Sequence, residues 1–277
     1  MQQCNTNLIQ WPRAKYWDKA WNPVIGCKPC SPACDNCYAA ALAKRFHKSF
    51  TPHASSHSYP PRSGIVFCGN MTDLFGEWMW PWYGSHDGYI IRSPEFFIEL
   101  ACDKTHNEAI YLWLTKRIAS MVDAMLRASA NHKWLKTCCC NHYFGFTAEN
   151  QECYSERLLP VYRAKEHWMK FWVSAEPLLG PLRLGLDGDL IPGTYEWLVV
   201  GCESGPNRRP CKIEWVESIV EQCRAASVPV FVKQLDIGGK CVTDIAKFPQ
   251  HLQIRQVPWA NLKSPDGRVA LGLESPQ

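Results

Sequence analysis

Four cysteines, Cys27, Cys30, Cys34 and Cys37, stand within eleven residues of the stretch GCKPCSPACDNCYAA, positions 26–40. Thiolates are metal ligands, and two overlapping triplets can be read here: Cys30-x3-Cys34-x2-Cys37 and Cys27-x6-Cys34-x2-Cys37. Three thiolates on a four-iron, four-sulfide cube leave one iron without a protein ligand, and an open iron is a place for chemistry. All four cysteines together could instead close a structural zinc site. Ser31-Pro32 has the form of an N-cap followed by proline at the first helical position. That predicts a helix from about Pro32, with Cys34 and Cys37 three apart on one face. Thiolates gain there from the partial positive charge and free N–H groups of a helix start. Cys68, Cys202 and Cys223 sit in apolar patterns and are expected as small core residues, and TCCCNH (137–142) as packing.

Fifteen cysteines in 277 residues would suggest disulfides in a secreted protein. The odd count, and a start (MQQCNTNLIQWPRAKYW) with neither the apolar run nor the small-residue cleavage site of a secretory signal, argue for reduced thiols and a cytoplasmic location. No run of eighteen apolar residues exists, so no membrane span or membrane partner is expected. The net charge of +4 is too mild to imply nucleic-acid binding by itself, although 13 Trp and 10 Tyr supply stacking surface for it.

What must position these residues is an alternation of strand-like and helix-like segments. GIVFCGN (64–70), IYLWLT (110–115), YFGFTAE (143–149), KFWVSAE (170–176), EWLVVGCES (196–204) and VPVFVKQ (228–234) are rich in β-branched and aromatic residues. Between them, Ile118, Met121, Val122, Met125 and Leu126 make one helical stripe, and Val216, Ile219, Val220 and Cys223 another. The pattern predicts an α/β fold with mostly parallel strands over a single domain, 1–277. WNPVIGC (21–27) and LQIRQVP (252–258) as first and last strands bring the number near the eight of a (β/α) barrel, complete or partial. An open doubly wound sheet is the alternative, without a Gly-x-Gly-x-x-Gly turn to support it. Loop insertions are expected near 49–64 and 79–94.

Polar residues gather where each strand would end: Asn70 and Asp73, Thr115 to Arg117, Thr147 and Glu149, Ser174 and Glu176, Glu203 and Ser204, Lys233 and Gln234. In a (β/α) barrel such ends converge on the face that carries the site. Lys116 and Arg117 could hold a carboxylate or phosphate, and Arg208 and Arg209 suit an anionic substrate such as a nucleic acid or nucleotide or form a solvated loop pair. Glu149, Glu176 and Glu203 could orient substrate, or pair with Lys116, Arg117 and Lys233 in a structural ion network.

Taken in order, WNPVIGCKPCSPACDNCYA, NMTDLF (70–75), LTKR (114–117), GFTAENQ (145–151), VSAEPLLGPL (173–182), WLVVGCESGPNRRP (197–210) and VPVFVKQLDIGGK (228–240) span residues 21–240. This series resembles the phage-associated, three-cysteine-motif family of unknown function labelled gp-thirty-seven/gp-sixty-eight, related to the radical S-adenosylmethionine enzymes. The resemblance implies a barrel-like core and a [4Fe-4S] cluster on Cys27, Cys34 and Cys37. The general radical S-adenosylmethionine spacing would select Cys30 as first ligand, and the cysteine at 30 is a departure from the family, as is Cys202 in place of a glycine. S-adenosyl-L-methionine is the implied cofactor, bound by residues among Asn70, Asp73, Thr115, Lys116, Glu149, Ser174, Glu176 and Glu203, with Asn70 and Asp73 toward its amino group. Substrate contacts are expected from Arg117, Arg208, Arg209, Lys233 and Gln234, and a separately encoded three-Cys-motif protein is an expected partner. The competing expectation is a zinc- or cluster-stabilised module that binds nucleic acid without catalysis.

Overall fold

A computed structural model describes residues 9–55, 59–79, 85–86, 89–90, 93–102, 108–132, 141–164, 168–186 and 188–259. Its centre is one eight-stranded sheet: β1 Lys19–Trp21, β2 Ile65–Cys68, β3 Ile110–Thr115, β4 His142–Thr147, β5 Lys170–Ala175, β6 Trp197–Gly201, β7 Val230–Ile237 and β8 Lys240–Val242. The strands lie in strict chain order, β1 to β7 all parallel, and β8 returns antiparallel as the second arm of a hairpin. Residues of β2, β3, β4 and β6 are buried almost without exception, as expected of parallel strands covered on both faces. β1 and β8 remain unpaired with each other, so the sheet is open and no closed barrel forms among the described residues.

Apart from α1 Tyr38–Arg45, which follows the cysteine loop, one face carries the helices α2 Pro94–Ala101, α3 Ile118–Asn131, α4 Gln151–Arg163 and α5 Ile213–Ala225. Their apolar sides pack on Val66, Tyr111, Trp113, Phe144, Val173, Leu198 and Val232 in a continuous core. The stripe expected on α5 is buried throughout, and that on α3 is buried except for Leu126, which is exposed while Ala124 and Ala128 face inward. Asn150 caps α4 by accepting from the Cys153 amide at 2.9 Å. Ser93 caps α2 in the same way from Phe96 at 3.4 Å, with Pro94 next in line.

The opposite face is filled by aromatic rings. Trp172, Trp197 and Phe231 from the sheet meet Trp11 and Tyr16 from the N-terminal segment and Val257 and Trp259 from the C-terminal one. Tyr16 stands edge-on to Trp172, Trp197 and Phe231 at centroid distances of 6.1, 5.2 and 5.5 Å. Gly145 is required beneath this layer, because a Cβ there would lie 2.3 Å from the Trp172 indole. That indole donates to the Trp113 carbonyl at 3.0 Å.

Two strand expectations need correction. Val24–Ile25 pairs antiparallel with His53–Ala54, outside the main sheet, whose first strand is Lys19–Trp21 just before it. Gln256–Val257 pairs with Ile9–Gln10, so 252–258 supplies no further barrel strand. The expected insertion at 79–94 and residues 137–140 of the cysteine-rich run lie largely or wholly outside the described residues.

Candidate functional site at the strand ends

A cavity of about 550 Å³ opens at the C-terminal ends of the parallel strands, the size of a small-molecule or cofactor pocket. Cys27, Cys30, Cys34 and Cys37 line it together with Asn70, Asp73, Thr115, Lys116, Arg117, Ser174, Glu176, Glu203, Lys233 and Gln234. Glu149, Arg208 and Arg209, expected in the same set, lie outside its wall.

The cysteine loop is shaped differently from the single helix expected. Ser31 is extended but makes no side-chain cap, Pro32–Cys34 forms one 3-10 turn, and α1 begins only at Tyr38 with Cys37 as its N-cap residue. Cys34 and Cys37 are joined by a turn, the Cys37 amide donating to the Cys34 carbonyl at 3.2 Å, rather than stacked on one helix face. Gly26 sets the start of the loop: its φ is +94°, and a Cβ would lie 2.3 Å from the Thr51 carbonyl oxygen. The Cys27 amide donates to the Phe50 carbonyl at 3.1 Å, and Thr72 donates to the Gly26 carbonyl at 2.6 Å.

Most of the charged residues singled out from the sequence turn out to tie this loop down. The Asp73 carboxylate accepts from Thr115 Oγ1 at 2.6 Å, the Phe75 amide at 3.0 Å, the Lys116 amide at 3.1 Å and Arg117 Nη1 at 3.1 Å. Its acceptor sites are thereby filled, which leaves it little capacity for a cofactor amino group. Arg117 continues from Asp73 to the Lys28 carbonyl at 3.0 Å and lies over the Trp78 ring at 4.7 Å. Glu203 accepts from Arg209 through the backbone amide, Nε and Nη2 at 2.8, 3.0 and 2.5 Å, and from Asn36 at 2.9 Å. Burial alone would raise the Glu203 pKa, but these donors hold it below the usual carboxylate range. Arg209 also reaches Asp35 at 3.4 Å, so the pair clamps residues 35–36 to the end of β6.

Glu149 is fully buried beside Arg157, 2.5 Å away. Burial pushes its pKa up, and the guanidinium together with the Ser31 hydroxyl pulls it down further than burial raises it. Arg208 is spent on Asp236 at 3.1 Å. Glu176 and Lys233 pair with each other, and Lys233 stands 5.8 Å from the Tyr16 ring centre. Gln234 donates to the Cys202 carbonyl at 2.6 Å. Lys116 carries its ammonium at the wall with no ion pair to a described residue. Asn70 accepts from Asn22 at 2.7 Å through Oδ1, and its carbonyl accepts from the Tyr38 hydroxyl.

The thiols themselves are unequal. Cys34 is drawn down to about 4, first by a hydrogen bond from the Cys30 thiol, with the Cys30 and Ser31 amides and Lys116 contributing. Cys30 is raised correspondingly, chiefly as the donor of that bond, and Cys27 is raised by burial and then by Asp73. The Cys27 thiol turns to the Lys28 carbonyl at 3.5 Å. With the thiols bonded in this way, no group of three or more His, Cys, Asp or Glu side chains among the described residues stands in metal-binding geometry. The donor set nevertheless suits a soft metal centre, with four thiols at one cavity wall and one of them favoured as thiolate.

Sequence reasoning passed over Tyr16, Trp17 and Phe67, which form the aromatic part of the wall, and Asn36 and Tyr38 at its rim. Tyr38 directly follows the last cysteine, a signal available in the chain; Tyr16 reaches the site only because the N-terminal segment crosses the sheet. Cys202, expected as plain core, is buried but touches both the cavity and the Cys241 thiol. No helix among the described residues is long and apolar enough to cross a membrane.

Comparison with known proteins gives one result. The family described as "Protein of unknown function (DUF5131)" matches residues 12–257. No curated protein and no solved structure matches the chain.

Proposed function

The chain belongs to this family of unknown function, DUF5131, and we propose that it is an iron–sulfur, S-adenosylmethionine-dependent radical enzyme built on a partial (β/α) barrel. The observation that carries the reading is the single cavity that brings four loop cysteines together with polar side chains from successive parallel strand ends. Sequential parallel strands with helices on one face support the partial barrel.

Cys34 and Cys37 would hold a [4Fe-4S] cluster with Cys27, or with Cys30 in its place. When bound, the cluster and S-adenosylmethionine supply one-electron cleavage of a sulfonium and, from it, hydrogen-atom abstraction. The chain's own residues do the rest. Asp73–Arg117 and Glu203–Arg209 hold the loop at Lys28 and at residues 35–36, which keeps the thiols at the cavity. The unpaired Lys116 ammonium and the Asn70 amide nitrogen offer donors to carboxylate or hydroxyl oxygens. The Glu176–Lys233 pair presents both signs of charge to a bound zwitterion. Tyr16, Trp17 and Phe67 supply apolar wall that limits water around a reactive intermediate.

Reduced thiols at the site suit the cytoplasm, and co-purification would test for a three-Cys-motif partner. The central test is anaerobic reconstitution with iron and sulfide, followed by electron paramagnetic resonance with and without S-adenosylmethionine. About four irons per chain, a spectrum changed by the cofactor and 5′-deoxyadenosine on reduction are expected. One tetrahedral zinc on Cys27, Cys30, Cys34 and Cys37 would overturn the proposal in favour of a non-catalytic, zinc-stabilised module.

A further inference from the structure

The whole net charge of this protein sits in one segment. Residues 36–72 hold Lys44, Arg45, Lys48 and Arg62 and no Asp or Glu, while the remaining 26 basic and 26 acidic residues balance. Every exposed large aromatic side chain among the described residues falls in the same segment: Tyr38, Phe46 and Tyr59, at 54%, 61% and 75% exposure.

Helix α1 organises this surface. Ala39 and Ala43 face inward, whereas Tyr38, Leu42, Arg45 and Phe46 fall at i, i+4, i+7 and i+8 on the outer face. Lys44, Arg45 and Lys48 are exposed and have no ion pair to a described residue. This differs from Arg117, Arg208 and Arg209, whose charges are spent on Asp73, Asp236 and Glu203. Lys44 and Arg45 on α1 and Lys48 just beyond it are thus available to an anion, as is Lys116 in the cavity wall, and the first residue of α1, Tyr38, lines that cavity.

We infer that the outer face of α1 binds single-stranded nucleic acid and leads it to the cavity mouth. Exposed rings and unpaired cations on one segment without acidic residues match the two chemistries of a strand, base faces that stack and phosphates that need neutralising. A protein partner docking on apolar α1 residues would not require the acid-free run of charge. Duplex DNA or RNA would offer phosphates but keep its base faces stacked away from Phe46. The inference deepens the proposed function by naming its substrate class, and rests on that reading only for the cavity's role.

The test is fluorescence anisotropy of labelled oligothymidylate and oligouridylate, with a duplex of equal length, on the intact protein across a salt series. Phe46→Ala is expected to weaken single-strand binding about tenfold, and the triple change Lys44→Ala, Arg45→Ala, Lys48→Ala to lower the salt slope by about 2. Phe46 is exposed, so circular dichroism and thermal midpoint should stay at wild-type values. Failure of the wild type to bind, equal affinity for duplex, or variants that bind like wild type would each overturn the inference. So would loss of a co-purifying protein in Phe46→Ala with oligonucleotide binding intact. Iron content of the same preparation separates the two claims: oligonucleotide binding without a cluster sinks the enzyme and leaves this surface standing, and a cluster without binding does the reverse.

Discussion

Replacing Arg157 by Met tests how much stability rests on a buried charge pair beneath the strand ends. Arg157 and Glu149 are 5% and 0% exposed, and the guanidinium spans Glu149 at 2.5 Å and the Thr147 carbonyl at 2.8 Å. Met keeps much of the side-chain length but removes every donor, which leaves a carboxylate buried without its counter-charge. Breaking such a pair costs about 3–5 kcal/mol, which corresponds to a fall in thermal midpoint of roughly 5–9 °C for a chain of this size. The pH dependence gives the sharper signature. In the wild type the Glu149 pKa is depressed, so its contribution is present above the unfolded carboxylate value and lost only as pH falls through the folded one. In the variant, unopposed burial raises the folded pKa instead. Stability then falls as pH rises from the unfolded value toward the new folded one, so the deficit against wild type should be larger at pH 7 than at pH 5. Adding Glu149→Gln should recover part of the loss and remove its pH dependence. Denaturant unfolding at several pH values measures all three proteins. A deficit below about 1 kcal/mol, the range of exposed pairs, or one that does not vary with pH, would refute the pairing argument.

Three further outcomes follow from the same geometry. His142 is buried and held neutral, its pKa lowered to about 3 by burial, and accepts from the Trp113 indole at 3.1 Å. The unfolded chain therefore takes up a proton below its ordinary value that the folded chain does not, and stability should fall by roughly 2 kcal/mol between pH 6.5 and 5; His142→Phe should flatten that limb of a chemical-denaturation series. Gly145→Ala would drive a methyl into the Trp172 indole and should cost about 1–3 kcal/mol, with a changed tryptophan emission spectrum; unchanged stability would show that the ring layer yields freely. Among single Cys→Ser variants, Cys34 and Cys37 should each abolish cluster loading, and whichever of Cys27 and Cys30 is the first ligand should do likewise while the other retains iron content; full loading in the Cys34 variant would remove that residue from the ligand set.

The strand segments were legible in the chain because a parallel strand covered on both faces must be apolar nearly throughout, and IYLWLT and KFWVSA show this without reference to their neighbours. The gathering of polar residues just past those segments likewise marked the cavity wall, since chain direction alone puts the ends of parallel strands on one side. The local pattern could not say which charges would be consumed by one another. Asp73, Glu203 and Glu149 look like free carboxylates along the chain, and each meets an arginine that the fold delivers, from the next strand end, from the following loop or from two turns along a helix. Nor could proline after serine decide between one helix and a 3-10 turn followed by a second start, because that choice rests on clamps at Asn36 and Lys28 from residues more than eighty positions away. Periodicity and burial are properties a segment carries with it; the pairing of charges, and with it which cations remain available for a ligand, is fixed only when the fold brings partners, near or far in the chain, within a few ångströms and excludes water between them.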